Sequence, residues 1–551
     1  MATETNIGDF LRTRAFLNPT KEALYDVMAE HRYSFRELNE RANQCCNALA
    51  SLGLKKGDRV ALLANNGHEF AESFFGPAKA GLVLMPLNWR LTADELSFIL
   101  KDGGATVLIF DQDFAPVVDQ LHAMGSEGTD VAHWIAVGGE TPDYATGYED
   151  LLAAQSTEDP DIAAREDDNL FIMYTSGTTG NPKGVVHTHN TVMWALLTLT
   201  NTADVRFTDR YLVMLPLFHV AALLPMLGSI YKGNSMVVLR NFDPVRAWSL
   251  IEEEKITTTL AVPAMLAFML QVPDFQRFDW STLRYITSGA APVPVTTINA
   301  YMDLGIEIHQ VYGMTETCGP ACLIGPDDAV HKIGSTGKSF FHTRIRIVDE
   351  SGNDLPPGQP GEILVNGPHI MKEYWNRPDA TAETIVDGWL YSGDIATRDD
   401  DGFLYILDRK KDMIITGGEN VYPAEIESVL LEHEAIADVA IIGYPHEVWG
   451  EAVKAIVVPE EGQTLTVEEL SQWCKDRLAK FKTPSAVVAS CVRAWPEPAV
   501  SRCPRLPASS VPSTVHVNGC CALMMATVSK RYSSRRPTAA PCACPHRWAV
   551  H

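Results

Sequence analysis

Basic side chains are scarce in this 551-residue chain, which has 45 lysines and arginines against 69 aspartates and glutamates and a net charge of −24. A nucleic-acid partner requires a basic face to neutralise phosphates, so the composition argues against one. The hydrophobic content of 46% and the charged content of 21% are typical of a globular protein. The length exceeds what one core supports, and at least two domains are expected.

Long uninterrupted apolar segments are also lacking. Residues 211–231 contain no formal charge, but Pro216, His219 and Pro225 interrupt them. This interruption argues against a membrane-spanning helix, and we interpret the segment as core. Residues 1–16 carry charges and have no apolar stretch typical of a signal peptide. The sequence therefore predicts no transmembrane span and a cytoplasmic protein.

A Walker A loop, Gly-x-x-x-x-Gly-Lys-Ser/Thr, is not matched. The candidate phosphate loop is instead the segment 174–184, which reads Tyr-Thr-Ser-Gly-Thr-Thr-Gly-Asn-Pro-Lys-Gly. Its hydroxyls and glycine amides can donate to phosphate oxygens while the lysine offsets their charge. Composition alone also fits a surface turn. The candidate phosphate ligands are Thr175, Ser176, Gly177, Thr178, Thr179, Gly180 and Lys183.

Further motifs follow along the chain. They read Ser-Gly-Ala-Ala-Pro at 288–292, Tyr-Gly-Met-Thr-Glu-Thr at 312–317, Tyr-Ser-Gly-Asp at 391–394, Asp-Arg-Lys-Lys-Asp at 408–412 and Gly-Gly-Glu-Asn-Val-Tyr-Pro at 417–423. Together with the phosphate loop, in this order and spacing, they resemble the adenylate-forming enzymes as far as residue 490. That superfamily includes acyl-CoA synthetases, peptide-synthetase adenylation domains and firefly-type luciferases.

The resemblance implies an ATP site with Mg²⁺. It implies that Tyr312 packs on the adenine and that Asp394 and Arg409 contact the ribose. The implied catalytic residues are Lys183, Thr315 at the α-phosphate, and Glu316, whose carboxylate suits the hard Mg²⁺ ion. The remaining implied nucleotide contacts are Gly289, Ala290, Ala291 and Gly313.

The resemblance also implies a second half-reaction with CoA. After the acyl-adenylate has formed, a small domain rotates about Lys411 and opens a tunnel for the CoA thiol. The residues implied to line that tunnel are Gly417, Gly418, Trp449 and Phe481. Trp449 taken alone also fits a core aromatic residue.

Local patterns alternate between strands and helices. Ser34 with Glu37 three residues later is a capping box that opens a helix, and Gly53 is its expected end. A strand at 59–64, a helix at 69–80 and a strand at 82–86 predict a βαβ unit. The expected fold is α/β: a large N-terminal domain, 1–408, of layered parallel-rich sheets with helices, and a small mobile α+β domain, 409–490.

Residues 491–551 differ in character from the rest of the chain. They hold eight basic residues, one acidic residue, eight prolines and six of the 11 cysteines. The cysteines lack the spacing of zinc sites. The composition indicates out-of-frame or otherwise aberrant translation and predicts a poorly ordered segment. Relatives carry a Gly-Lys turn here whose lysine binds the carboxylate and α-phosphate, but no lysine lies between Lys482 and Lys530.

The acid that the chain activates is the least defined part of the prediction. The segment Phe218-His219-Val220 stands where amino-acid-activating relatives have Phe-Asp, and without that carboxylate an α-amino acid would leave its ammonium unpaired. An apolar acid of medium or long chain is favoured, with an aryl or cinnamate-type acid as the alternative. The candidate acyl-pocket residues are His219, Val220, Ala221, Val262, Met265 and Met314, of which His219 also fits a plain core histidine.

Three functional classes fit these motifs. A free-standing acyl-CoA ligase is favoured, because the CoA-side residues are present and a carrier-protein segment with Gly-Gly-x-Ser is not recognised. A luciferase-like monooxygenase and a non-catalytic adenylate-binding protein are the alternatives. The expected partners are a small carboxylic acid and CoA. A homodimer is compatible with the sequence, which does not determine the oligomeric state.

Overall fold

The computed structural model describes residues 6–161, 164–175, 182–291, 293–410, 412–416, 419–446, 449–460, 462–475, 477–478 and 480–489. Several predicted site residues and the C-terminal segment lie outside this part of the chain. They are Ser176, Gly177, Thr178, Thr179, Gly180, Lys411, Gly417, Gly418 and residues 491–551.

Helices are distributed along the whole described chain. In chain order they are α1 (Asp9–Leu17), α2 (Phe35–Ser51), α3 (His68–Ala80), α4 (Ala93–Gly103), α5 (Ala115–Ala123), α6 (Gly125–Gly128), α7 (Tyr148–Ala153), α8 (His189–Thr202), α9 (Val220–Lys232), α10 (Pro244–Glu253), α11 (Pro263–Leu270), α12 (Val295–Asp303), α13 (Pro326–Ala329), α14 (Pro378–Thr384), α15 (Pro423–Leu430) and α16 (Val467–Cys474).

Strands alternate with these helices up to β14 and then follow one another more closely. They are β1 (Glu22–Asp26), β2 (His31–Ser34), β3 (Arg59–Leu63), β4 (Val83–Pro86), β5 (Ala105–Asp111), β6 (His133–Val137), β7 (Thr146–Gly147), β8 (Asn169–Thr175), β9 (Lys183–Thr188), β10 (Arg210–Val213), β11 (Ser235–Val238), β12 (Thr258–Ala261), β13 (Tyr285–Ser288), β14 (Glu307–Tyr312), β15 (Cys322–Leu323), β16 (Lys338–Ser339), β17 (Arg344–Val348), β18 (Gly361–Asn366), β19 (Glu373–Tyr374), β20 (Ile385–Val386), β21 (Trp389–Arg398), β22 (Leu404–Arg409), β23 (Ile414–Thr416), β24 (Glu419–Val421), β25 (Ile436–His446), β26 (Gly450–Pro459) and β27 (Ala486–Ala489).

Two large sheets form the centre of the molecule. The first has the order β16-β15-β14-β13-β12-β10-β11-β1-β2, and its pairs from β1 to β14 are parallel. The second has the order β19-β9-β8-β4-β3-β5-β6-β7, with parallel pairs from β8 to β7 and antiparallel pairs at β9 and β19. Helices connect the parallel strands, as the predicted βαβ units require.

One continuous apolar cluster joins these two sheets. It includes Leu62 of the second sheet, Phe74 of α3 and Leu212 of the first sheet, each at most 1% exposed. Because both faces of a parallel sheet are covered, its strands are apolar on both sides rather than alternating. The core therefore fixes how the strand ends of the two sheets face each other.

Two smaller sheets follow. The third has the order β17-β18-β21-β20, with β22 on β21, and all its pairs are antiparallel. The fourth has the order β24-β23-β26-β25, with β27 parallel to β26, and packs with α15 and α16 around its own apolar cluster. Large parallel-rich sheets with helices and a smaller C-terminal unit confirm the predicted fold class.

Several local predictions are also confirmed. The Ser34 hydroxyl accepts from the Glu37 N–H, while Glu37 Oε2 accepts from the Ser34 N–H at 2.8 Å, and α2 begins there. Gly53 follows α2 with a φ of 86°, a left-handed conformation that favours glycine. Residues 211–231 fold into β10 and α9 with a largely buried surface. Among the helices that the structure describes, none has the length and apolar character of a bilayer-spanning segment.

Candidate active site

The predicted nucleotide motifs converge at the carboxyl edge of the first sheet. Strands β13 and β14 run parallel with Ser288 opposite Gln310, so the loops after Ser288 and Tyr312 leave the sheet side by side. Ligands of open α/β sheets bind outside the carboxyl ends of the strands. The topology therefore brings 289–291 and 313–316 to one place, although they lie far apart in sequence.

Two glycines in these loops have no room for a side chain. A Cβ on Gly289 would lie 2.3 Å from the Val311 carbonyl oxygen, and one on Gly313 would lie 1.4 Å from the Gly319 carbonyl oxygen. Both distances are far below a van der Waals contact. The small residues thus let neighbouring backbone segments touch beside the candidate nucleotide site. Ala290 adopts a φ of 68° and is exposed, as is Ala291.

Tyr312, Asp394 and Arg409 form one contact chain. The Tyr312 hydroxyl donates to Asp394 Oδ2 at 2.7 Å, and Arg409 Nε lies 3.6 Å from Asp394 Oδ1. Desolvation raises the pKa of the Asp394 carboxyl, while the Tyr312 hydrogen bond and the Arg409 charge oppose that rise. The structure therefore brings together the residue predicted at the adenine and the two predicted at the ribose.

Thr315 and Glu316 lie in a short 3₁₀ turn, Thr315–Thr317, between β14 and β15. Two buried histidines hold this turn. The His187 Nε2 atom lies 2.8 Å from the Thr315 carbonyl oxygen, and the His369 Nδ1 atom lies 2.8 Å from the Thr317 carbonyl oxygen. Burial lowers the pKa of each imidazole to about 4, so both rings are neutral near pH 7 and donate one N–H to the turn.

The Glu316 side chain is held by Tyr374. The Tyr374 hydroxyl donates to Glu316 Oε1 at 2.8 Å, and the Met371 N–H donates to the Glu316 carbonyl oxygen at 2.7 Å. Desolvation raises the pKa of the Glu316 carboxyl, and the Tyr374 hydrogen bond opposes that rise. The Tyr374 hydroxyl thus fixes one oxygen of the carboxylate.

Lys183 and Thr175 face each other at the end of a hairpin. They are opposite residues of the antiparallel strands β8 and β9, at the point where the chain leaves the sheet for the predicted phosphate loop. The Lys183 ammonium lies 5.0 Å from the centroid of the Tyr374 ring. Since Tyr374 also contacts Glu316, a cation and an anion of the predicted catalytic set share one neighbour.

The predicted acyl pocket begins at His219, the residue before α9. Its side chain is solvent-accessible but closely surrounded by protein, and desolvation together with the Arg90 charge lowers its pKa to about 4. Val220, Ala221, Val262 and Met314 are buried or partly buried. A cavity of about 50 Å³ lies nearby. Its lining residues are Asn66, Trp89, Arg90, Met214, Pro216, Arg240, Asn241, Phe242, Met265 and Phe268.

The two predicted CoA contacts that the structure describes lie on the fourth-sheet unit. Trp449 precedes β26 and is 55% exposed, and Phe481 lies in the 3₁₀ turn Lys480–Lys482 and is 41% exposed. The exposure excludes the core interpretation of Trp449.

Comparison with known proteins agrees with this geometry. The family model "AMP-binding enzyme" matches residues 11–375, and the model "AMP-binding enzyme C-terminal domain" matches residues 425–497. The long-chain-fatty-acid–CoA ligase FadD13 of Mycobacterium tuberculosis is 43% identical over 483 residues, covering 88% of this chain and 94% of that protein. The chain belongs to the AMP-binding enzyme family.

Two further relatives of this AMP-binding enzyme bear on its substrates. Feruloyl-CoA synthase of an Amycolatopsis species is 40% identical over 455 residues, covering 82% of this chain and 89% of that protein. The structure of o-succinylbenzoate CoA synthetase from Bacillus subtilis with ATP and a magnesium ion has a TM-score of 0.77 and 32% identity, covering 89% and 96%. The adenylate-forming resemblance is confirmed, and the protein is an AMP-forming acid–CoA ligase.

Three residues of the enzyme's site were not predicted from sequence. They are His187, His369 and Tyr374, which hold the turn at Thr315–Thr317 or the Glu316 carboxylate. His187 carried a usable signal, because it is a polar residue in the apolar run Gly-Val-Val-His-Thr, four positions after Lys183. The other two lie more than fifty residues from the turn and form no motif with it.

Asp26, His68 and Glu69 form a cluster of side chains of the types that bind metal ions, and we interpret this cluster as structural. The ligand atoms lie within 4.8 Å of one another. However, the Asp26 carboxylate already accepts from the N–H groups of Met28, Ala29 and His68 and contacts His68 Nδ1 at 2.8 Å. These bonds fill its lone pairs and anchor β1 to the start of α3.

The buried neutral histidines predict an acid-sensitive fold. The folded-state pKa of His187, His189 and His369 is about 4, below the ordinary value of 6.5, so the unfolded chain binds protons first as the pH falls. Each should cost about 2 kcal/mol of stability between pH 7 and pH 5. Melting temperature against pH measures this loss.

His187→Gln should flatten that pH dependence, because glutamine can still donate to Thr315 but does not titrate. His331→Gln, at an exposed position, is the matched control and should leave the slope of the parent chain. An unchanged slope in His187→Gln would show that folding does not lower the pKa of this imidazole.

Proposed function

We propose that this enzyme activates an apolar carboxylic acid with ATP and transfers the acyl group to CoA. The observation that carries the proposal is the convergence of Lys183, Glu316 and Asp394 around the edge of the first sheet, each held by a neighbouring tyrosine. A cation, a carboxylate for Mg²⁺ and a ribose acceptor in one place suit the binding of MgATP rather than that of a neutral ligand.

In this proposal the nucleotide lies across the carboxyl ends of β13 and β14. Asp394 accepts from the ribose hydroxyls, and Arg409 supports that contact. Tyr312 and Gly313 face the adenine together with the loop at 289–291. Thr175 and Lys183 meet the β- and γ-phosphates and Thr315 the α-phosphate. The predicted phosphate ligands from Ser176 to Gly180 lie outside the described residues.

The residues around Glu316 fit a magnesium ion. Mg²⁺ prefers carboxylate and phosphate oxygens, and Glu316 places a carboxylate beside the proposed phosphate site. When bound there with ATP, the ion would neutralise phosphate charge. Glu316 itself must be ionised to serve as a ligand, which the Tyr374 hydrogen bond favours against burial.

The reaction proceeds through an acyl-adenylate. A carboxylate oxygen of the acid forms a bond to the α-phosphorus while the bond to pyrophosphate breaks. Lys183 and Thr315 stabilise the charge that develops on the phosphoryl oxygens. The CoA thiolate then attacks the acyl carbon, and AMP leaves with the electron pair of the anhydride oxygen. The thiol proton passes to solvent or to AMP.

The C-terminal unit, residues 409–490, would take part in the second step, the transfer of the acyl group to CoA. We infer that residues 1–408 and 409–490 are separate domains and that Lys411 is the hinge between them. Trp449 and Phe481 are proposed for a CoA-facing surface, and their exposure leaves both side chains accessible to a ligand. Gly417 and Gly418 are proposed for the same tunnel. A cytoplasmic location and a homodimer stay predictions.

An apolar acid suits the acyl side of the site. No carboxylate is among the described residues that line the cavity, so an α-ammonium group would find no anionic partner there. Met214, Met265 and Phe268 supply apolar cavity wall. The FadD13 relative, named a long-chain fatty acid ligase, supports the same class.

An aryl acid is the second candidate. Arg90 and Asn241 also line the cavity, and such groups can donate to an oxygen substituent on an aromatic ring. The feruloyl-CoA synthase relative supports this alternative. The two candidates share one mechanism and differ in what fills the cavity.

Asp394→Ala should weaken ATP and AMP binding together, because the ribose is common to both. A loss of about tenfold in each affinity is expected for a charged acceptor. Calorimetric titration of each nucleotide measures it, with the exposed Asp354→Ala as the matched control. A loss confined to the carboxylic acid would contradict the ribose assignment.

A panel of acids should rank apolar chains above α-amino acids. Fatty acids of increasing length, a cinnamate series and matched α-amino acids are compared by thioester formation from CoA. Since an unpaired ammonium costs several kcal/mol or more, amino acids should be poorer by ~100-fold. A best substrate with a free ammonium would overturn the interpretation of His219.

The missing Gly-Lys turn predicts a slow first step. A chain in which residues 491–551 are replaced by a family-type ending with that turn should form acyl-adenylate ~10²–10³ times faster than the natural chain. CoA acylation from supplied acyl-adenylate should be similar in both, because Trp449 and Phe481 precede the replacement. Equal adenylation rates would show that another residue, for example Lys530, supplies the charge.

A further inference from the structure

The two-residue strand β19 places Tyr374 between the two charged residues of the proposed phosphate site. It pairs antiparallel with β9, with Tyr374 opposite Val185. The side chain is 7% exposed, and its hydroxyl donates to Glu316 Oε1 at 2.8 Å. The Lys183 ammonium lies 5.0 Å from the centroid of the same ring, within the range of a cation–π contact.

The backbone on both sides of Tyr374 binds the same two elements. The Met371 N–H donates to the Glu316 carbonyl oxygen at 2.7 Å, and the Trp375 N–H donates to the Gly184 carbonyl oxygen at 2.7 Å. The strand therefore connects the turn that carries Glu316 to the hairpin that carries Lys183. The Tyr374 side chain makes the same connection, because its hydroxyl contacts the Glu316 carboxylate and its ring lies beside the Lys183 ammonium.

The hydroxyl acts on the geometry and on the charge of Glu316. A carboxylate rotates about its last bond unless one oxygen is held, and here Tyr374 holds Oε1. Desolvation and the Asp394 charge raise the pKa of Glu316, whereas the Tyr374 hydrogen bond and the Arg409 charge lower it. The hydroxyl donor thus restrains the orientation of the carboxylate through Oε1.

We propose that Tyr374 is a positioning residue for adenylation, whose hydroxyl orients the Glu316 carboxylate toward Mg²⁺ and whose ring locates the Lys183 ammonium. The inference rests on the roles proposed above for Glu316 and Lys183. It adds a residue that acts through both charged groups.

The test measures ATP affinity by calorimetry in the full-length chain, with and without Mg²⁺ and without an acid substrate. Tyr374→Phe keeps the ring and removes the hydroxyl. It should lower the affinity for ATP in the presence of Mg²⁺ about tenfold and change the Mg²⁺-free affinity less than about twofold. Tyr144→Phe removes another tyrosine–carboxylate contact, to Asp119 at 2.6 Å, and should change neither value.

Glu316→Gln separates this inference from the proposed function. This variant should abolish most of the Mg²⁺ dependence of ATP affinity. In the double variant, Tyr374→Phe should then have little further effect, because both changes act on one interaction. If Glu316→Gln keeps the full Mg²⁺ dependence, the proposed role of Glu316 and this inference both fail. If Glu316→Gln loses the Mg²⁺ dependence of ATP affinity but Tyr374→Phe keeps it, only the role of Tyr374 fails.

Tyr374→Leu tests the ring. It should weaken Mg²⁺-free ATP binding more than Tyr374→Phe does, by about threefold, because the Lys183 cation loses its aromatic neighbour. Equal affinities of the two variants would overturn the ring's contribution. An equal loss with and without Mg²⁺ in Tyr374→Phe would indicate a general structural defect and would overturn the positioning role.

Discussion

The site depends on the short turn Thr315–Thr317, because the turn and the residue Tyr312 before it connect the first sheet to the second and third sheets. It follows β14 of the first sheet, and His187 and Tyr374 of the second sheet bind it. Tyr312, just before the turn, donates to Asp394 of the third sheet. A shift of one sheet would therefore move the carboxylate, the cation or the ribose acceptor relative to the others. Catalysis by positioning and electrostatics tolerates little such movement.

Charge also constrains the proposed nucleotide site. Because the chain has a net charge of −24, a polyphosphate would have to be bound through locally placed cations, for which Lys183 is the candidate. The histidines that hold the turn are neutral, and they support its backbone without adding charge.

The sequence predicted the fold class and the location of the motifs because both depend on local patterns. Short stretches of sequence were enough to predict the capping box at Ser34, the strand before the candidate phosphate loop, and the loops at 289–291 and 312–316. Tyr374 was not, because its role arises from the pairing of β19 with β9, which lie nearly two hundred residues apart. The polar residues of the cavity, such as Asn66 and Arg90, lie in the segments after β3 and β4 and carry no motif.

We propose that an acyl-adenylate would occupy the nucleotide site and the acyl pocket together. The most direct measurement is the affinity of a non-hydrolysable acyl-sulfamoyl adenosine with an apolar acyl chain, compared with that of AMP. Since a mimic of the intermediate engages both halves, it should bind at least ~100-fold more tightly than AMP. Asp394→Ala should weaken its binding as well. A mimic that binds no better than AMP would contradict the account.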